Sequence, residues 1–204
     1  MKAQIIVFTV VGAFFGFIVG WIVGTQQTGV ARGGVAAAPA AQQASASPAK
    51  SVDENVVASL RAEIQRDPTS ARPRVALGNL YYDAERFDEA AKWYEEAVKL
   101  SPRDPDVSTD LGIAYYYLNQ PDRALQQFDY SLSVDPKHVK TMLNQGVVRA
   151  FGKQDLEGAA ASWQRVIDLA PGSQEAQSAK KMLDGLKSAH PGVGGGAAST
   201  PRGR

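Results

Sequence analysis

The chain has 204 residues, which is long enough for one folded domain and additional segments. Its 22 Lys and Arg residues nearly balance its 21 Asp and Glu residues, and all of the acidic ones lie between Val52 and Ser188. That region carries 17 basic side chains and is mildly acidic, so we expect no nucleic-acid partner. Cysteine is absent, which excludes disulfides, Cys-ligated zinc and thiol chemistry.

The N-terminal segment, residues 1–25, is predicted to be a transmembrane anchor. Ile5 to Gly24 form an uncharged, mostly apolar run of 20 residues, which matches the length needed to cross a ~30 Å hydrocarbon layer. The alternative is a cleaved signal peptide, but the run is long for one and no small-residue cleavage site follows closely. Because Lys2 precedes the run, the positive-inside rule predicts that the rest of the chain is exported.

Glycine recurs at every fourth position of this apolar run. On a helix such glycines form one bare groove, against which a neighbouring transmembrane helix can pack closely. The alternative is that glycine is simply common in membrane helices. The strict register favours a packing face, through which the chain could form a homo-oligomer. The four glycines are Gly12, Gly16, Gly20 and Gly24.

Residues 26–50 are rich in Ala, Gly, Gln, Ser and Pro, which is typical of a flexible linker. Ser51 and Glu54 then match a capping box that is predicted to open a helix over residues 51–67. We interpret this helix as half of an incomplete repeat that covers the end of the folded domain. Its apolar stripe consists of Val56, Val57, Leu60 and Ile64.

The central stretch of the chain repeats one pattern three times. Proline-containing dipeptides recur along it at spacings of 34, 34 and 35 residues, a period that is typical of a helical repeat array. The period predicts repeats at about 69–102, 103–136 and 137–171. The dipeptides are Asp67-Pro68, Ser101-Pro102, Asp135-Pro136 and Ala170-Pro171.

Each repeat is predicted to be a hairpin of two helices joined by a short turn. In the first repeat Leu77, Gly78 and Tyr81 share one helix face, and Ala90 and Tyr94 share a face of the next helix. We expect Gly78 to face Ala90, so that the two helices can approach closely, with the tyrosines filling the space beside them.

The third repeat departs from this pattern. Gln145 and Arg149 stand where the first two repeats have Leu and Tyr, and one extra residue separates Gly146 from the Ala159-Trp163 pair. We expect a third hairpin, but the pattern does not predict the angle between its two helices. Trp163 is expected to be a core residue.

Two further helix starts can be predicted from capping residues. Asp104 followed by Pro105 is expected to begin the first helix of the second repeat. Ser173 is expected to begin a capping helix over 173–188, whose polar outer face closes the array. Residues 189–204 are rich in Gly, Ala, Ser and Pro and are predicted to be a disordered tail.

These repeats resemble the tetratricopeptide repeat family, and the resemblance covers about half of the chain. It implies an all-α fold, in which about three helical hairpins and flanking capping helices form a solenoid behind one N-terminal transmembrane helix. It also implies a protein-binding role, with ligand contacts on the inner face of the first helix of each repeat.

The sequence offers no convergent nucleophile, base or metal-ligand set, so we expect a binding protein rather than an enzyme. His138 and His190 have no partner at ligand spacing, and we expect neither a metal site nor a cofactor. His138 is expected to be a solvated turn residue. The glycine-rich stretch 192–196 neither follows a strand nor precedes a helix, which excludes a phosphate loop.

The resemblance also maps a ligand surface onto the chain. Some family members grip a terminal carboxylate with basic and Asn side chains, but only Asn79 and Lys140 match that set here, while Asp110 would repel a carboxylate. We predict instead a mainly aromatic and apolar groove for a peptide or a partner helix, although any single aromatic residue could pack between repeats. The predicted groove residues are Asn79, Tyr82, Ile113, Tyr116, Tyr117, Lys140, Leu143, Asn144, Val147 and Phe151.

The leading functional hypothesis is a membrane-anchored scaffold that binds a protein partner on the periplasmic side of a bacterial inner membrane. A narrower role within it is a chaperone-like assembly factor that holds unfolded apoprotein during cytochrome c maturation. Two alternatives stay open. One is a structural, oligomeric scaffold of an envelope assembly, and the other is an organelle-surface receptor whose repeats lie in the cytosol.

Overall fold

A computed structural model describes residues 51–194 of the chain. This part contains eight α-helices, one π-helical turn and no strand, so the predicted all-α class is confirmed. The helices are α1 (Glu54–Arg66), α2 (Arg72–Asp83), α3 (Phe87–Leu100), α4 (Pro105–Tyr117), α5 (Pro121–Val134), α6 (Val139–Val147), α7 (Leu156–Leu169) and α8 (Gln174–Ala189), with the π-helical turn Val148–Gly152 after α6.

Successive helices pack against each other along the whole described region. The helix pairs α2–α3, α4–α5 and α6–α7 form the three hairpins that the sequence period predicts, and α1 and α8 pack against the first and last of them. Each helix contacts mainly its neighbours in the chain, which is the arrangement expected of a solenoid built from repeats.

The three hairpin turns share one backbone conformation. Glu85, Asn119 and Gln154 all adopt the left-handed conformation, with φ angles of 61°, 57° and 56°. In the first turn the amides of Glu85 and of the next residue, Arg86, donate to the carbonyls of Tyr82 and Tyr81, each at 2.9 Å. In the second turn Asn119 and Gln120 donate in the same way to Tyr116 and Tyr115, each at 2.9 Å. This is a Schellman-type ending, which lets the chain reverse within three residues.

The extra residue of the third repeat is accommodated at the end of its first helix, before the hairpin turn. Val148–Gly152 form a π-helical turn, in which the Lys153 N–H bonds to the Val148 carbonyl at 3.1 Å. A π turn holds one more residue than an α turn, so the two helices of this hairpin still face each other. The departure from the family pattern is therefore local.

Each hairpin is closed by an aromatic ring that lies over a glycine. A Cβ atom at Gly78 would lie 2.5 Å from the ring of Tyr94, and one at Gly112 would lie 2.5 Å from the ring of Phe128. At Gly146 the ring of Trp163 fills the same space, and Trp163 is buried, as expected. The Tyr94 ring, which we expected beside Gly78, lies directly over it, and the approach of Gly78 to Ala90 stays a prediction.

Two of the three predicted helix caps are confirmed. The Asp104 carboxylate accepts hydrogen bonds from the amides of Asp106 and Val107, and Ser173 Oγ accepts one from the amide of Ala176 at 3.0 Å. The predicted cap at Ser51 was wrong, since the side chain of Asp53 caps α1 instead. Aspartate and serine are equally good caps, so the sequence alone did not separate the two positions.

The buried apolar residues form two clusters. The first joins α1 to α5 and includes Leu77, Tyr94 and Phe128, and the second joins α6 to α8 and includes Trp163 and Leu183. At the end of α8, Val193 packs against the second cluster, and the Gly194 N–H donates to Glu157, so these residues of the predicted tail contact the domain.

A buried group of hydroxyls lies where the second and third repeats meet. The Thr141 Oγ1 atom is 2.6 Å from Thr109 Oγ1 and 2.8 Å from Ser131 Oγ, and none of the three residues has exposed surface. His138 Nδ1 lies 2.6 Å from the same Thr141 oxygen, and the His138 side chain is only 16% exposed. The expectation that His138 is a solvated turn residue was therefore wrong.

Several predicted features lie outside the described residues. These are the anchor with Gly12, Gly16, Gly20 and Gly24, the linker up to residue 50, and the tail from residue 195 onward. Within residues 51–194, none of the helices has both the length and the apolar character needed to cross a membrane.

Candidate binding groove

The ten predicted groove residues all lie on the first helices of the three hairpins or directly after one of them. Asn79 and Tyr82 lie on α2, Ile113, Tyr116 and Tyr117 lie on α4, and the others lie on α6 and its π-helical turn. We call the surface formed by these ten residues the first-helix groove.

An aromatic cluster forms the part of the groove shared by the first two repeats. The ring of Tyr117 is stacked on that of Phe87, with centroids 4.5 Å apart, and meets the edges of Tyr82 at 5.6 Å and Tyr116 at 5.8 Å. All four rings are half-buried, so they fix one another while part of their surface stays accessible. Sequence reasoning missed Phe87, which begins α3, although its place directly after the turn could have indicated it.

The phenols of Tyr82 and Tyr116 stay neutral over the physiological pH range. Burial raises the pKa of Tyr82 well above its usual value, and the neighbouring Tyr117, Tyr94 and Asp110 raise it further. Burial likewise raises the pKa of Tyr116. At Tyr82 and Tyr116 the groove therefore presents rings and hydroxyl groups rather than phenolate charges.

The remaining apolar groove residues differ in how much they pack against the core. Ile113 packs on the first apolar cluster, and Leu143 and Val147 pack on the second. Tyr116 is also a packing residue, since a Cβ atom at Gly152 would lie 3.3 Å from its ring. Phe151 is the most exposed of the large apolar groove residues, at 52%.

A cleft of about 510 Å³ opens between α2 and the start of α4. It shares Asn79 with the first-helix groove and has a mixed lining with several charged side chains. Its lining residues are Ala71, Arg72, Val75, Ala76, Asn79, Ser101, Asp104, Asp106, Val107 and Asp110.

The polar groove residues are held by neighbours inside the protein. Asn79 Oδ1 accepts a 2.7 Å hydrogen bond from the hydroxyl of Tyr94. Lys140 Nζ donates to Asp110 at 2.8 Å and lies 3.4 Å from Asp106, and Asn144 Nδ2 donates to the Lys140 carbonyl at 2.8 Å. The lysine that would contact a ligand's carboxylate is thus already paired with two carboxylates of its own chain.

The ion pair between Asp110 and Lys140 is partly buried. Burial raises the pKa of Asp110, and the ammonium group of Lys140 opposes that rise. Burial would lower the pKa of Lys140, but Asp110 and Asp106 together raise it above its ordinary value. Lys140 therefore keeps its proton at neutral pH, and Asp110 is the group whose charge is costly to bury.

The described residues hold no group of three or more His, Asp or Glu side chains suited to a metal ion. The groove residues offer rings, hydroxyls, amides and one ion pair, which can bind a partner by packing and hydrogen bonding.

Two family models match the repeat region. A model described as TPR repeat matches residues 78–119, and one described as tetratricopeptide repeat matches residues 109–174. The repeat region belongs to the tetratricopeptide repeat family. The TPR resemblance drawn from the glycine–aromatic pattern is thereby confirmed.

Solved TPR structures share this fold. The first TPR of Spaghetti (RPAP3), solved with the HSP90 peptide SRMEEVD, is 26% identical, covers 58% of this chain and 91% of its own, and has a TM-score of 0.53. The first TPR domain of human RPAP3 is also 26% identical, covers 60% and 93%, and has a TM-score of 0.55.

Curated relatives match part of this chain and are longer proteins. The cytochrome c-type biogenesis protein CycH of Pseudomonas aeruginosa is 32% identical over 129 residues, which are 62% of this chain and 31% of CycH. The Hsp70-Hsp90 organizing protein 2 of Arabidopsis thaliana is 26% identical over 121 residues, which are 59% of this chain and 20% of that protein. The match therefore spans less than a third of each relative's length.

Proposed function

We propose that the chain uses the first-helix groove of its TPR domain to hold an extended segment or an amphipathic helix of a protein partner. The TPR region is a protein–protein interaction scaffold, and the observation that supports this particular surface is the half-exposed cluster of Tyr82, Phe87, Tyr116 and Tyr117. Preorganised aromatic rings bind apolar side chains with little loss of conformational freedom. The role is one of binding rather than catalysis.

The proposal includes a membrane anchor with the TPR domain on the periplasmic side of a bacterial inner membrane. It is supported by the apolar run from Ile5 to Gly24 and by Lys2 before it. The test fuses two reporters to the C-terminus. One is active only in the periplasm and the other only in the cytoplasm. Activity of the periplasmic reporter is expected. Activity of the cytoplasmic reporter alone would contradict this topology and favour an organelle-surface receptor.

The narrower proposal is a chaperone-like assembly factor in cytochrome c maturation. It is supported by the similarity to CycH, whose name places that protein in cytochrome c biogenesis. In a bacterial strain that lacks the chain, the haem covalently attached to c-type cytochromes should fall, and the wild-type chain should restore it. Normal haem attachment would remove this role and leave the groove proposal in place.

The alternative of an oligomeric envelope scaffold is favoured by the register of Gly12, Gly16, Gly20 and Gly24. Replacing Gly16 and Gly20 by isoleucine should keep membrane insertion and weaken self-association, because branched side chains hold helix backbones apart. Unchanged cross-linking in membranes would show that these glycines are not a packing face.

A further inference from the structure

The charges around the groove favour one kind of occupant. Asp106 and Asp110 both contact Lys140, so the positive charge of this lysine is neutralised inside the protein. Asp104 lines the cleft between α2 and α4 together with Asp106 and Asp110, and its carboxylate caps α4. Arg72 is the one basic residue among those that line this cleft.

A fourth carboxylate adds to this negative surplus near the aromatic cluster. Asp83 ends α2, is exposed, and acts electrostatically on the hydroxyl of Tyr94, as Asp110 does. The four carboxylates therefore outnumber Lys140 and Arg72, while His138, beside Asp106, carries charge only when it is protonated. The Asp110 side chain is also partly buried, at 21% exposed, so less water offsets its charge and a second cation nearby would stabilise it.

We propose that the occupant is a segment that places a Lys or Arg side chain beside Asp110 and Asp106 and apolar side chains on Tyr82, Tyr116 and Tyr117. This inference rests on the proposed function and specifies the chemistry of its partner. A cation at this place would be attracted both by the carboxylates and by the faces of the tyrosine rings.

The same contacts disfavour a segment that ends in a free carboxylate among acidic residues. Such an end would meet Asp110 at the site where Lys140 is already shared by two carboxylates. Asn79 is likewise engaged by the hydroxyl of Tyr94. We therefore expect the HSP90 peptide SRMEEVD, which the first TPR of Spaghetti binds, to bind this chain weakly or not at all.

The test uses the full-length chain in a nonionic detergent and three fluorescein-labelled peptides. The first alternates leucine with lysine, the second alternates leucine with glutamate at the same length, and both are C-terminally amidated. The third is SRMEEVD. Affinities are measured by fluorescence anisotropy for the wild-type chain and three variants, each of which removes one carboxylate.

The variants separate a specific site from general charge attraction. Asp110→Asn and the more exposed Asp106→Asn change the groove, and Asp184→Asn removes an exposed carboxylate of α8 that pairs with Lys180. The leucine–lysine peptide should bind the wild type most tightly and lose roughly tenfold in affinity with either groove variant. Asp184→Asn should leave its affinity unchanged. A thermal melt of each variant shows that it is folded.

Two kinds of result would overturn the inference. The first would leave the proposed peptide-binding function intact, and the second would not. Tighter binding of SRMEEVD or of the leucine–glutamate peptide, or an equal loss with Asp184→Asn, would refute the basic occupant and keep the groove as a possible peptide site. Absence of binding by all three peptides would refute both this inference and the proposed function.

Discussion

Phe128 fills the space that a side chain at Gly112 would need. A Cβ atom at position 112 would lie 2.5 Å from Cε1 of Phe128 and 3.2 Å from the carbonyl oxygen of Ala124. The same relationship joins Gly78 to Tyr94 and Gly146 to Trp163, so each repeat sets the distance between its two helices in one way. The glycine is thus a packing residue, and the ring over it belongs to the core.

Substitution of Gly112 by alanine should destabilise the domain by about 1–3 kcal/mol, because the added methyl group overpacks the hairpin. Gly185 provides the matched control, since it lies in α8 with no atom within 4 Å of an added Cβ. Gly185→Ala should stabilise the domain by roughly 0.5–1 kcal/mol through helix propensity alone. Chemical denaturation measures both free energies of unfolding, and equal effects of the two substitutions would contradict this packing account.

The buried hydroxyl group gives a second prediction about stability. Thr141→Val keeps the shape of the side chain but removes the hydroxyl that contacts Thr109, Ser131 and His138. Thr109 and Ser131 keep their hydrogen bonds to the Pro105 carbonyl, whereas His138 Nδ1 loses its partner. We expect a loss of about 1–3 kcal/mol in the free energy of unfolding, which is typical of buried polar groups left unsatisfied. Thr141→Ser retains the hydroxyl and should cost less. If valine proves as stable as serine in denaturation curves, the hydroxyl contacts contribute no net stability.

The fold should lose stability at alkaline pH. Burial is the largest cause that raises the pKa values of Tyr82, Tyr94, Tyr115 and Tyr116 in the folded chain. In the unfolded chain these phenols ionise near their ordinary pKa of 10.0, so above that pH the folded state holds more protons. The stability that they contribute is fully present below pH 10 and falls as the pH rises further. Melting temperatures that stay constant up to pH 11 (about one unit above that pKa) would contradict this expectation.

The sequence predicted the hairpins well because their pattern is local and repeated. The residues Leu77, Gly78 and Tyr81 are spaced for one helix face, and the proline dipeptides end each repeat. These local signals predict a hairpin without knowledge of the rest of the chain, because each hairpin packs mainly on its neighbours.

The features that the sequence did not predict depend on contacts between repeats. The His138 side chain is only 16% exposed because Thr141 and Asp106 approach it, and Asp106 lies on the first helix of the preceding repeat. The pair of Lys140 with Asp110 likewise joins residues 30 positions apart, and no local spacing indicates it. In the sequence, the only sign of the π-helical turn is one extra residue between Gly146 and Ala159. That residue could equally well have lengthened the loop between the two helices.

The most direct test of the account is whether the first-helix groove, rather than the second helices, binds peptides. Peptides would be selected by phage display on the full-length chain, and their affinities measured for Tyr117→Ala and Tyr130→Ala. Tyr130 is the matched control, since it is a 39% exposed tyrosine on α5, a second helix. Thermal melts of both variants correct each affinity for the folded fraction.

The account predicts that Tyr117→Ala weakens binding of the selected peptides by roughly tenfold or more, as expected for an aromatic hot spot. Tyr130→Ala should leave binding unchanged. Normal affinity of the folded Tyr117→Ala chain, together with a loss for Tyr130→Ala, would show that the binding surface lies on the second helices and would contradict the account.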